Sequence, residues 1–131
     1  MKTTTVIARL LLGLIFLTFA LNGFLHLIPS SPPSGTAGQF VGALFVSHYL
    51  VPIFLLQIIS AVLLLINRFV PLALTLLAPI IVNILLIHIL MLPSGLPLVL
   101  VVTALWIVVF LSVRSAFHGL FQQRVPVQAV P

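Results

Sequence analysis

Aspartate and glutamate are both absent from this 131-residue chain. Without carboxylates it lacks the commonest general acids and bases and the commonest ligands for hard metal ions. It also lacks the membrane-embedded acid on which proton-coupled antiporters usually depend, the four-span multidrug transporters of similar length among them. Proton coupling would have to use histidine alone. Cysteine is missing as well. That excludes disulfides, thiolate nucleophiles, iron–sulfur ligation and cysteine-rich zinc sites, and with them the four-helix membrane enzymes that pass electrons from a cysteine pair to quinone. Charge of any kind is scarce: 4% of residues are charged and 63% are hydrophobic. A soluble domain this small needs a polar surface to enclose its core, and these residues cannot make one. Lipid is therefore the expected solvent for most of the surface.

The net charge of +5 does not point to nucleic acid, because the basic residues are dispersed and no polar groove can form. They stand instead at the ends of long uncharged runs, where they meet anionic headgroups. Lys2 and Arg9 precede the run Leu10–Ile28. No A-x-A cleavage pattern follows this run, and it is longer than a signal-peptide core, so it reads as a retained span. Pro29 to Gly35 form a helix-breaking loop. The stretch from Phe40 to Ile66 exceeds one crossing and contains Pro52, which predicts a short interfacial or tilted helix over 37–47 leading into a span. Gly38 and Gly42 in that short helix make a GxxxG pair that permits close helix approach. Asn67-Arg68 ends the span. Phe69 to Val113 is uncharged over roughly 67 Å of helix, about two bilayer crossings, and Pro93-Ser94-Gly95 divides it. Pro71 suits a first turn, and Pro79 predicts a kink.

The expected fold is therefore all-α: a four-helix transmembrane bundle in one domain, 1–118, with a possible short interfacial helix before span two. The spans fall at about 6–28, 49–66, 69–92 and 96–117, and a loose tail covers 119–131. All five basic residues then lie on one face, which the positive-inside rule makes cytoplasmic, together with both termini. Arg9 and Arg114 are expected to snorkel to the interface.

This topology gives the remaining polar residues depths. His26, His48 and His88 lie near the outer leaflet, His118 lies on the opposite side, and Asn22, Gln57 and Asn83 lie deeper. Polar groups at such depths are expected to face the bundle interior. The candidate polar pocket is thus Asn22, His26, His48, Gln57, Asn83 and His88. Asn22 and His26 share a helix face at i,i+4, with Thr18 below. Asn83 and His88 are separated by about 140° around a regular helix, and His48 and Gln57 fall on roughly opposite faces. If the three outer histidines line one site, it would suit a quinone headgroup, a metal ion or haem. Otherwise they are interfacial histidines bonded to backbone or water, and the amides join helices. No metal-ligand set is assigned. The aromatic residues Phe16, Phe19, Phe24, Trp106 and Phe110 read as packing and lipid contact. Thr103 and Trp106 share a face of span four.

Asn67-Arg68-Phe69-Val70-Pro71-Leu72-Ala73-Leu74, followed by Leu77-Ala78-Pro79-Ile80-Ile81-Val82-Asn83 and His88, resembles the DoxX family. The segment Arg9 to Phe16 with Leu21-Asn22-Gly23-Phe24-Leu25-His26 is similar to the same family's first span, and Pro93 to Pro97 to its last turn. The resemblance covers essentially the whole chain. It implies a four-helix protein of the bacterial inner membrane, linked to quinone-dependent redox or oxidative-stress complexes. Many members carry an acid in span two, where this chain has Gln57. On this basis the chain is expected to be an accessory subunit of such a system, with a redox-enzyme partner or as a homo-oligomer, and not a catalyst alone. Quinone is the possible cofactor. The alternatives are a small-molecule transporter or channel, and an autonomous quinone-binding oxidoreductase.

Overall fold

The computed structural model describes residues 2–26 and 32–130. Among them there is no strand. Five α-helices follow in order: α1 (Thr3–Leu25), α2 (Gly35–Val46), α3 (Leu50–Leu65), α4 (Val70–Leu90) and α5 (Leu96–Ser112). Short 3-10 helices occupy Pro93–Gly95 and Arg114–Phe121. α1 packs on α3 and α5, and α4 packs on the same two helices, which closes a ring of four. α2 stands apart from that ring and meets α3 at an angle of 86°.

Three helical segments are long and apolar enough to cross a membrane: Thr3–Leu25, Val70–Leu90 and Pro93–Ser112. α3 has 16 residues, about 24 Å of helix against ~30 Å of hydrocarbon. It qualifies as a span only together with α2, as one span bent at its middle. The protein is thus all-helical, with three or four candidate membrane spans.

Each helix buries one narrow stripe. On α1 it is Ala8, Arg9, Leu12, Gly13, Phe16 and Ala20. On α3 it is Gln57, Ser60, Ala61 and Leu64, and on α4 it is Val70, Ala73, Leu74, Leu77 and Ile81. The steps of three and four residues are those of one helix face. Many of these residues are small, whereas the outward faces carry leucine, isoleucine and phenylalanine. Without water to drive apolar association, small side chains let the helices approach closely enough for dispersion to hold them.

α1 and α3 run antiparallel in a tight register. A Cβ built on Gly13 would lie 3.0 Å from the Leu65 side chain and 3.2 Å from the Ala61 carbonyl oxygen. A Cβ on Gly23 would overlap the Phe54 ring. At the end where α1 begins, the Arg9 guanidinium enters the bundle. It is 8% exposed and donates to the carbonyls of Leu64 and Leu65 in the last turn of α3. Arg9 therefore does not extend outward as expected: its guanidinium is buried against the carbonyls that end α3, which carry the negative end of the helix dipole. Arg114 is exposed. The turn Ile66–Phe69 and the start of α4 share this end, so Lys2, Arg9, Arg68 and Arg114 gather there.

Other expectations also shift. α4 has a proline at position 79, where no N–H is available to the preceding turn. The neighbouring Leu74 carbonyl is taken by Trp106, whose indole N–H donates to it across to α5 at 3.0 Å. α5 ends at Ser112, earlier than 117, and the chain tightens into the 3-10 helix. That places Phe117 against Phe110, ring centres 5.0 Å apart. The GxxxG pair serves no helix contact among the described residues. A Cβ on Gly38 would strike the Pro33 carbonyl of its own leading loop, and Gly42 faces open space. The end of span one at Leu27 and Ile28, and Pro29 to Ser31 of the loop, lie outside the described residues.

Candidate functional site

The end of the bundle opposite Arg9 is shaped by two helix terminations. α1 stops at His26, which adopts the left-handed conformation (φ 51°) and returns its N–H to the Asn22 carbonyl at 2.8 Å. α2 stops in a fuller motif. His48 is left-handed (φ 60°), its N–H reaches the Phe45 carbonyl, and the Tyr49 N–H reaches the Leu44 carbonyl. These two bonds are the pair that define a Schellman end. The Ser47 hydroxyl donates to Leu44 and accepts from Tyr49 N–H, so the bend before α3 has its backbone donors satisfied. Asn67 repeats the Schellman motif at the end of α3, with φ 57° and the bonds Asn67 to Leu64 and Arg68 to Leu63. Histidine and asparagine are several-fold enriched in this conformation. Positions 26 and 48 therefore have a backbone role that a search for ligands among histidines does not reveal.

These terminations bring His26 and His48 to one pocket of about 260 Å³. Gly23, Phe24, Phe45 and Phe54 line it with them. The His26 and Phe45 rings are 6.4 Å apart and tilted, and Phe24 meets Phe54 edge to face at 5.7 Å. Gly23 leaves room for the Phe54 ring. Both imidazoles are exposed. An apolar cavity of ~150 Å³ holds benzene, so this volume accepts one six-membered ring with small substituents. Its polar contribution is two imidazoles, each able to donate or accept a hydrogen bond.

The other candidate residues lie elsewhere. Asn22 is half-buried one turn before His26. Gln57 is 7% exposed on the buried stripe of α3, one turn inward from Phe54. Asn83 is exposed on the outside of α4, where its amide donates to the Pro79 carbonyl at 2.8 Å. This overturns the expectation that it faces the bundle interior: α4 presents Leu77 and Ile81 to the core, and Asn83 falls on the other side.

His88 is engaged with the Pro93–Gly95 turn. Its Nδ1 lies 2.8 Å from the Ile84 carbonyl, and since a carbonyl only accepts, Nδ1 carries the proton. Its ring covers Gly95, where an added Cβ would sit 2.6 Å from Nε2. Gly95→Ala is expected to cost about 1–3 kcal/mol by overpacking. Adding His88→Ala should restore most of that loss, measured by thermal unfolding in detergent. An additive double variant would show that the ring does not fill this space.

Among the described residues no group of three or more histidines could hold a metal ion. Nothing in the sequence marks Phe45 and Phe54 as pocket walls. The inward course of Arg9 is likewise unmarked. The spacing of Gly13 and Gly23 around Arg9, Phe16 and Ala20 was the available signal for the α1–α3 contact. No family model, curated protein or solved structure matches this chain.

Proposed function

We propose that the chain is a four-span, DoxX-like protein of the bacterial inner membrane with both termini cytoplasmic. It serves as an accessory subunit of a quinone-linked redox or oxidative-stress system. The observation that carries the ligand part of this reading is the aromatic pocket shared by His26 and His48 at the end of spanning helices. A quinone headgroup is a single ring with two carbonyl acceptors, and an imidazole N–H can donate to each. The gathering of basic residues at the opposite end supports the orientation. The four-span count takes α3 as the second crossing, entered from the short α2 through the bend at His48; by length and composition the two qualify only as a bent pair. The subunit role rests on the sequence resemblance. A chain without cysteine or carboxylate offers few groups for carrying electrons or protons itself, which favours holding a quinone for a partner enzyme over turning it over alone.

The test must separate the cap role of the histidines from a ligand role. Glycine accepts the left-handed conformation as readily as any residue, so His26→Gly and His48→Gly should fold while losing the imidazole. Alanine at either position should cost roughly 1 kcal/mol in backbone strain. Decylubiquinone binding to the purified protein is expected to weaken about tenfold in each glycine variant, one hydrogen bond's worth. Unchanged binding in both removes the pocket from the proposal. Mild-detergent purification with mass spectrometry checks the subunit role, where a stable redox partner is expected. Solute flux in liposomes containing the protein alone would replace this reading with a transporter.

A further inference from the structure

The outer side of α4 is not built as a plain lipid-facing surface. Leu72, Thr75, Pro79, Val82, Asn83 and Leu86 follow one another along it, all exposed. The buried residues Ala73, Leu74, Leu77 and Ile81 point the other way. The Thr75 hydroxyl is served within its own helix, donating to Pro71 at 2.8 Å. Asn83 is not fully served. One amide proton goes to the Pro79 carbonyl, while the second N–H and the Oδ1 acceptor have no partner among the described residues. The residue lies about 20 Å along α4 from Val70, which is hydrocarbon depth if α4 crosses the membrane.

Lipid chains offer neither a donor nor an acceptor, so an open amide there is costly. The partner that relieves it must present one donor and one acceptor at the same depth. A second copy related by a two-fold axis along the membrane normal does this by symmetry: each Asn83 donates its free N–H to the other's Oδ1. Leu72, Pro79, Val82 and Leu86 are exposed on the same face and supply the apolar surface that packs against such a copy.

We infer that the outer face of α4 is a homodimer interface, with Asn83 amides paired reciprocally across the two-fold axis. This goes beyond the pocket at His26 and His48, which lies at one end of the bundle, and it holds whether or not that pocket binds a quinone.

The absence of cysteine makes the test direct. Leu86→Cys, one turn beyond Asn83, keeps the amide intact. In lipid vesicles under a mild oxidant it should form a disulfide-linked dimer. Leu14→Cys on α1 and Leu100→Cys on α5, both on outward faces, should remain monomeric. Equal linkage at all three positions, or none at Leu86→Cys, overturns the interface. Energy transfer between copies labelled on the C-terminal tail, followed as lipid dilutes the protein, then reads Asn83 itself. Asn83→Ala should raise the dissociation constant about three- to twentyfold, the range of membrane amide pairs. A dilution curve superimposed on that of the unchanged protein rejects the amide pair.

Discussion

Arg9→Glu should abolish the folded bundle, and Arg9→Ala should destabilise it by about 2–4 kcal/mol. Arg9 is the buried cation of a chain that contains no acidic side chain. What holds it is the end of α3: its guanidinium donates to the Leu64 and Leu65 carbonyls, where the helix dipole is negative. Nε is buried without a partner, so the site already bears part of the desolvation cost. Alanine removes the charge-assisted bonds and leaves a void among Leu12, Leu64 and their neighbours. Glutamate keeps a buried charge but turns it against carbonyl oxygens, which repel it. Methionine fills the volume without charge or donors and should fall between arginine and alanine. Lysine retains the charge and enough donors for both carbonyls, but on a shorter side chain with a more strongly hydrated head. The expected order of thermal stability in detergent is Arg, Lys, Met, Ala, Glu. A methionine variant as stable as the parent would mean that the latch contributes nothing net, a known outcome for some buried charges.

The helix count and order were legible because proline, glycine and the scattered basic residues punctuate an otherwise uniform apolar chain. The rotation of each helix was much less so. In a soluble protein the buried face is the apolar one, but here both faces are apolar, and Leu14 faces outward while Leu12 is wholly buried. Hydrophobicity cannot separate two leucines two residues apart. Residue size does better: Ala8, Gly13 and Ala20 on α1 and Ser60 and Ala61 on α3 mark the contact. The same blindness affects the polar residues. Asn83 and Gln57 look alike in sequence as intramembrane amides, yet one is exposed and one is buried. Depth can be read from distance along a helix, whereas facing depends on how Pro79 and the small residues set the packing. For His26 and His48 the obstacle was different. Their left-handed backbone is a local property, and a pattern search for ligand spacing does not weigh it.

Gly13→Leu should be the most damaging apolar substitution at the α1–α3 contact, at about 3 kcal/mol or more, and Gly23→Leu should cost clearly less. Both glycines stand on the α1 face that meets α3, and both are crowded. They differ in what crowds them. At Gly23 the obstacle is the Phe54 ring, which can rotate toward the pocket at some loss of its contact with Phe24. At Gly13 part of the obstacle is the Ala61 carbonyl oxygen, 3.2 Å from the added Cβ. A backbone carbonyl in mid-helix has no second rotamer, so the helices themselves must separate. Separation at this point also draws Arg9, one turn away, off Leu64 and Leu65. Overpacking of 1–3 kcal/mol therefore adds to the loss of the latch, and the two should not be independent. The measurable consequence is a double-variant cycle: Arg9→Met should cost less in the Gly13→Leu background than alone. If the two effects add, Gly13 and Arg9 act separately, and the close register of α1 on α3 is not what holds the guanidinium in place.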